Sequence, residues 1–328
     1  MDELDAMILR EILWRPADPL HAARGPRRLW DVARVLGLHG TTVKRRLAAM
    51  RESGFLREIH LQPMPGLMGL EGSEHHLVYK DALTKRRAFE ALSADPRVWT
   101  IYANVGNDLC VRLVAAPGED GQEIAAEMAL DTGALERRFH HLTNWSVPVE
   151  KVSALDLRIL AAFAEDAYRP ISDVAAEVGV AAKTVTSRMR ALAKMRAYLI
   201  YPVVDYSKIS GGMIVYLDLA LSLGATETAH TELANRFPVA LCRSVRGMDN
   251  GYLVLHASGP TDIEEMVSRA QSIPGVEHVG MAIMHDIHQE PARWKDALLA
   301  RAEELARAKG LWAAAWRARP AAVEARQQ

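Results

Sequence analysis

The sequence predicts an α+β protein made of two winged helix-turn-helix domains, two ferredoxin-like (βαββαβ) sheet domains and a C-terminal helical extension. Three observations carry this. The chain repeats itself: Leu4-Asp5-Ala6-Met7-Ile8-Leu9 returns as Leu155-Asp156-Leu157-Arg158-Ile159-Leu160, and residues 29–50 lie over 171–192 without a gap. Asp31/Asp173, Val32/Val174, Ala33/Ala175, Gly37/Gly179, Thr42/Thr184, Val43/Val185 and Arg46/Arg188 are identical pairs. Within each copy, apolar residues recur at helical spacing around a glycine-bearing turn. Strand-like and helix-like patterns then alternate in the order strand, helix, strand, strand, helix, strand.

Each copy opens with a helix. Ser153 is a good N-cap with Asp156 three residues on, the reciprocal pattern that satisfies free amides at a helix start; Asp2 and Asp5 are expected to play these parts in the first copy. A second helix, 29–36 or 171–178, should stop at Gly37 or Gly179, since glycine most easily adopts a left-handed C-terminal cap. A third helix follows after a tight turn, completing the helix-turn-helix unit, and the β-rich runs 55–61 and 198–204 read as its wing. In the first copy, 15–28 is a Pro-, Gly- and Arg-rich insert expected as an exposed loop. Domain boundaries are placed at 1–65, 73–147, 150–206 and 211–290, with the extension over 291–328. Runs such as 213–221 and 251–257 are apolar on both sides of the pleat, so the sheet face without helices needs a partner. The two sheets are expected to pack on each other as an intrachain pseudo-dimer.

Composition excludes several classes. The 328 residues carry 40 Lys+Arg against 41 Asp+Glu, with 49% hydrophobic residues, an ordinary globular balance. The acidic N-terminus does not read as a secretory signal, and no run approaches the ~20 apolar residues that span a bilayer. Cys110 and Cys242 both sit in apolar runs and read as buried thiols of a reducing, cytoplasmic compartment. There is no HExxH, paired CxxC, GxSxG or phosphate-binding loop.

The LDxxIL opening, the DVAxxxGxxxxTVxxRxxxL helix-turn-helix and a βαββαβ domain with Gly-x-Asp after its second strand resemble the leucine-responsive and asparagine-regulator (Lrp/AsnC) transcription factors. The resemblance spans about residues 1–145 and again 153–285. It implies a sequence-specific DNA-binding regulator, not an enzyme, whose sheet domains are of the effector-binding type. Members usually carry one unit per chain, so this chain reads as a tandem fusion. It departs from the pattern in that copy number, in the 15–28 insert, at Asn250 and in the fourth strand of the first sheet domain (131–142).

The third helices are the candidate DNA readers. Placing Val43, Leu47 and Met50 inward points Thr41 and Arg45 outward, with Lys44 and Arg46 on the flanks and Thr42 beside them. The second helix presents Lys183, Ser187 and Arg190, with Thr184 and Arg188 flanking. The stretch 39–51 holds four basic residues and no acid, and 181–196 holds five and no acid. Such a helix enters a major groove, with arginine near guanine and phosphate contacts on either side. A solvated basic face is the plain reading of any single run, but two acid-free runs on equivalent helices favour DNA. Because the two outward sets differ, an asymmetric site is expected rather than a palindrome.

The resemblance also implies a small-molecule effector, often an amino acid, near the Gly-x-Asp turns. Gly106, Asp108, Gly247 and Asp249 are the candidates, although the same residues make good hairpin turns. Homo-oligomerisation through the sheet domains is expected, with no membrane partner, no cofactor and no metal. The twelve histidines suggest metal or enzyme chemistry, but adjacent pairs such as His75-His76 and His140-His141 point to opposite faces of a strand, and His278, His285 and His288 read as surface residues. The competing reading is enzymatic: the sirohaem decarboxylases resemble the same family, some as fused two-unit chains, and use histidine and basic residues on a tetrapyrrole. A third is a pure oligomerisation or adaptor protein. After Pro291, a helix with Trp294, Leu298, Leu299, Ala302 and Leu305 on one stripe is expected to end near Gly310 and to pack against the sheet domains or a second chain.

Overall fold

The computed structural model describes residues 3–13, 26–142, 147, 149–209, 211–237, 240, 242–246 and 250–317. The chain begins with three helices, α1 (Glu3–Ile12), α2 (Leu29–Val35) and α3 (Gly40–Glu52), and a strand β1 (Leu56–Pro63). Then come β2 (Glu71–Val78), α4 (Ala82–Ala94), β3 (Val98–Asn104), β4 (Asp108–Ala115), α5 (Gly121–Asp131) and β5 (Glu136–Leu142). The second half runs α6 (Ala154–Phe163), α7 (Ile171–Val178), α8 (Ala182–Lys194) and β6 (Tyr198–Val204). It continues with β7 (Met213–Leu221), α9 (Thr226–Arg236), β8 (Cys242–Arg246), β9 (Asn250–Ala257), α10 (Pro260–Gln271) and β10 (Val276–Gln289), and closes with α11 (Pro291–Arg317).

The helix starts and stops follow local chemistry. Ser153 and Asp156 form the reciprocal capping box at α6, and Gly37 and Gly179 take φ of +66° and +77° after α2 and α7. Asp5 instead pairs with Arg46 at 2.9 Å; Asp2 and most of the 15–28 insert lie outside the described residues.

The expected wings are not wings. β1 and β6 pair with each other, antiparallel, with Leu61 opposite Ile200 and Ile59 opposite Pro202. Both strands are too apolar to stand in water beside their own helices (β1 is buried at Leu56 and from Ile59 onward), so pairing across the halves satisfies backbone groups and buries side chains together. One core therefore runs from Ile8, Val43 and Leu47 through Leu61 and Ile200 to Leu160, Val185 and Leu192. α11 also joins this core: Leu298 and Ala302 are buried in it, and Trp294 stacks on Trp99 with centroids 5.5 Å apart. The extension thus packs mainly on the helical layer, and it continues past Gly310 to Arg317.

The sheets are joined edge to edge rather than packed as two separate layers. One eight-stranded antiparallel sheet has the order β5-β2-β4-β3-β10-β7-β9-β8. β10 is long enough to pair with β7 over Val276–Met284 and then with β3 over Met284–Gln289. Helices cover one face of each half: Ala88, Leu92, Ile124 and Met128 seal Ile101, Val111 and Leu113, while Ala229, Leu233 and Ala270 seal Val215, Leu217 and Leu255. The other face curls so that Tyr102 and Cys110 from the first half meet Ile214 and Met284 from the second, with Val203 of β6 against them. The apolar face finds its partner by this curl.

Candidate functional site

Two places concentrate chemistry: the third helices of the two helical units, and a pocket on the inner face of the sheet. α3 and α8 begin without an acidic residue in their first turn, so the positive end of each helix dipole is left uncompensated. Val43, Leu47 and Met50 are buried on α3, as are Val185 and Leu192 on α8. Thr41, Lys44 and Arg45 are exposed on the opposite side, and so are Lys183, Ser187, Arg188 and Arg190. Thr42 and Thr184 are half-buried beside the turn.

The arginines divide into two kinds. Arg46 bonds Asp5 at 2.9 Å, with their side chains 30% and 15% exposed, and Arg188 reaches the nearly buried Asp156 at 3.6 Å. These two tie the third helix to the first within each unit. Lys44, Arg45, Lys183 and Arg190 form no ion pair among the described residues, and they leave cationic groups pointing to solvent.

The first Gly-x-Asp turn is tied by its own neighbours. Gly106 takes φ +105°; Lys85 donates to the carbonyls of Asn104 and Gly106 at 2.6 and 2.5 Å; Asn104 donates to Asp108 at 2.5 Å. Burial draws the Lys85 ammonium below its usual range, and Asp108 works against that shift. Asp108 is therefore held by the side chain of Asn104, which itself lines the inner pocket. Gly247 and Asp249 lie outside the described residues.

The pocket is partly open to solvent and has a cavity volume of about 40 Å³, room for a few water-sized groups. Its walls come from both halves: Glu74 and His76 on β2, Tyr102 on β3, Cys110 and Arg112 on β4, Tyr201 on β6, Tyr216 and Tyr252 on β7 and β9, and Met284 on β10. Antiparallel register sets the first half of this wall, with Glu74 opposite Arg112 and His76 opposite Cys110. Glu74, 1% exposed, accepts from Arg112. Arg112 also donates to the Tyr102 hydroxyl at 3.0 Å and lies 5.0 Å over its ring. Burial disfavours the Arg112 charge, yet the adjoining Glu74 carboxylate holds the guanidinium well above its ordinary range. Tyr216 and Tyr252 stack 5.5 Å apart on the far wall.

The paired histidines do part company. His76 faces the pocket, whereas His75 is fully buried on the helix side, bonded to Ser73 at 2.9 Å and edge-on to Phe139. Burial lowers the His75 pKa to about 4, with Arg137 adding to the shift. His278 and His285 are exposed and His288 is half-buried beside Phe89; the side chains of His140 and His141 lie outside the described set. None of the pocket residues is singled out by sequence as a ligand contact. Alternation alone puts Glu74 with His76, and Cys110 with Arg112, on common faces; the cross-strand register that joins the pairs has no local signal.

A model of the AsnC-type helix-turn-helix domain matches residues 153–193. Among solved structures, the siroheme decarboxylase NirDL in co-complex with an iron-uroporphyrin III analogue is 14% identical, with 91% of this chain and 99% of that chain covered and a TM-score of 0.52. A second structure of the siroheme decarboxylase NirDL is 15% identical over 92% and 100% of the two chains, also with a TM-score of 0.52. AsnC from E. coli is 15% identical over 44% of this chain and 93% of its own, with a TM-score of 0.29. No curated protein matches the sequence. The fold that covers nearly the whole chain is thus one on which an enzyme is built, and this overturns the expectation from sequence that the chain is not an enzyme. Among the described residues no helix is long and apolar enough to cross a membrane.

Proposed function

We propose that the chain is a DNA-binding transcriptional regulator in which two helix-turn-helix units of the AsnC type are fused in one polypeptide as an intrachain pseudo-dimer, acting in the cytoplasm. The observation that carries this reading is the pair of exposed, acid-free faces on α3 and α8, which leave Lys44, Arg45, Lys183 and Arg190 available for a phosphate backbone and base edges. The AsnC-type match over α6–α8 supports it. Thr41 and Ser187 supply neutral hydrogen-bonding groups beside the cations, and the helix N-termini add positive potential toward phosphate. The two faces differ in residue type, so the reading includes an asymmetric operator. The pocket, built from both halves beneath β6, is the small-molecule site, with the Gly106–Asp108 turn at its edge through Asn104.

A mobility-shift titration of the full chain on DNA from upstream of its own gene tests this, repeated across a salt series. Retention whose logarithm falls linearly with the logarithm of salt supports the reading; no retention at low salt on any tested duplex refutes it.

A second reading is favoured by the whole-chain likeness to the siroheme decarboxylase: the pocket acts on a tetrapyrrole substrate. His76, Arg112 and the tyrosines are its donors, and Tyr102 and Tyr216 supply hydroxyls from opposite walls. Against it stands the charge of the described lining. A polycarboxylate tetrapyrrole asks for several unpaired cations, and the lining holds one, Arg112, already neutralised by buried Glu74. Mixing the chain with sirohaem and recording the Soret band separates the two; a shifted band with loss of carbon dioxide establishes the enzyme.

A further inference from the structure

The inner pocket carries a group of residues that neither reading above employs together. Glu74, His76 and Cys110 bring a carboxylate oxygen, an imidazole nitrogen and a thiol sulfur within 4.8 Å of one another. We infer that these three side chains form a binding site for a zinc-class divalent cation, open to the pocket at its fourth position.

The backbone builds the site. Glu74 and His76 stand two residues apart on β2 and so share a face, and Cys110 is the cross-strand partner of His76. Tetrahedral zinc holds sulfur at about 2.3 Å and nitrogen or oxygen at about 2.0–2.2 Å, so closing the three donors onto one ion needs movements of roughly an ångström, within reach of side-chain rotation. A mixed thiolate, imidazole and carboxylate set suits Zn²⁺ and Co²⁺ rather than Mg²⁺ or Ca²⁺, which ask for oxygen alone.

Glu74 and Cys110 are buried to 1% and 7% exposure, which disfavours their charged forms, and the neighbouring Arg112 guanidinium works against that. Cys110 carries a thiol rather than a disulfide sulfur. Arg112 bonds the Glu74 carboxylate and so fixes its orientation, the usual support for a metal-bound carboxylate. On binding, the Cys110 S–H bond breaks, the sulfur electron pair goes to the cation and the proton leaves to solvent; nothing is oxidised or reduced. Counting Arg112⁺, Glu74⁻, the thiolate and M²⁺, the occupied site bears one net positive charge. An anionic or hydroxyl-bearing ligand entering between Tyr102 and Tyr216 would complete the coordination.

This assignment concerns the same pocket as the proposed effector site but needs no DNA, so its test and the DNA titration fail separately. The full chain, reduced and freed of metal, is titrated with Co²⁺ alone and then with Zn²⁺. The expected result is about one Co²⁺ per chain, a near-ultraviolet band from thiolate-to-cobalt charge transfer, release of about one proton, and loss of the band on adding Zn²⁺. Cys110→Ser should abolish the band, His76→Gln should weaken binding at least tenfold while keeping it, and Cys242→Ser should leave it unchanged. Circular dichroism confirms that each variant folds, with Cys110→Ala as the replacement if the serine variant does not. A featureless wild-type spectrum overturns the site, as does a band that survives Cys110→Ser or vanishes with Cys242→Ser.

Discussion

Replacing Arg45 and Arg190 together with alanine separates the proposed reading role of the third helices from their structural role. Both side chains are exposed and form no ion pair among the described residues, so their removal should leave the melting temperature within about a degree of the parent. If each guanidinium makes a bidentate contact to a base, worth about 1–3 kcal/mol, the double variant loses roughly 30-fold to 20,000-fold in affinity. If each meets only phosphate, affinity falls less, and the slope of log affinity against log salt drops by about 0.9 for every phosphate that is no longer neutralised. Arg46→Ala is the contrasting variant. Its guanidinium bonds Asp5 at 2.9 Å with both groups largely shielded; after allowance for remaining solvent screening the loss is about 1 kcal/mol of stability. The assay is fluorescence anisotropy on a labelled duplex, alongside thermal melts. Parent-like affinity in the double variant refutes the assigned faces, and so does an Arg46→Ala variant that melts normally yet no longer binds.

Other outcomes follow from the fold. His75 is neutral in the native state with a pKa of about 4 against an ordinary 6.5. The unfolded chain therefore takes up a proton that the native chain refuses as pH falls through this window. Stability should drop from about pH 6.5 down to pH 4, by at most about 3 kcal/mol, and His75→Leu should flatten that part of a urea-melt pH profile. Leu298→Ala removes a fully buried side chain where α11 enters the helical core; a loss of about 2–5 kcal/mol is expected in denaturant melts, and a change below about 1 kcal/mol would mean that α11 is not docked. Gly179→Ala meets no atom within 4 Å but must hold φ +77°, so about 1–2 kcal/mol of purely backbone cost should appear as a lower melting temperature with unchanged DNA affinity.

How much of this was legible depended on whether the signal was local. The capping box at Ser153 and Asp156, the stops at Gly37 and Gly179, and the strands 213–221 and 98–104 each follow from a few adjacent residues. The pairing of β1 with β6 did not, because an apolar run such as 198–204 shows that a strand must be covered without saying by what. Its true partner lies more than a hundred residues away, and only the fit between two apolar edges selects it. The ion pairs of Arg46 and Arg188 were hidden for a related reason. The same wheel that marks them as flanking cations says nothing of Asp5 and Asp156, which arrive from another helix. For the pocket, period-two spacing put Glu74 with His76, but the step to Cys110 and Arg112 needed the register of β2 against β4. The reach of β10 past its own half to β3 has no counterpart in any single motif.

β6 is where the two candidate sites meet. Tyr198 and Ile200 are buried in the core beneath the third helices, whereas Tyr201, next along the same strand, lines the pocket. A ligand that bears on Tyr201 therefore acts on a strand whose partner, β1, supports the other reading helix. The β1–β6 pair lies in the core that both helices share, so a shift of β6 is expected to change their mutual spacing rather than either helix alone. On the proposed reading, two unlike helices at a fixed spacing meet an asymmetric site, and a change of spacing weakens both contacts at once. The expected consequence is reciprocal coupling of about 1–3 kcal/mol: Zn²⁺ changes DNA affinity by some factor, and DNA changes Zn²⁺ affinity by the same factor. Tyr201→Ala should reduce that factor toward unity while leaving each affinity measurable by itself. A factor of one, with Zn²⁺ leaving DNA affinity untouched, would show that the two sites do not communicate, and an unchanged factor in Tyr201→Ala would take the route away from β6.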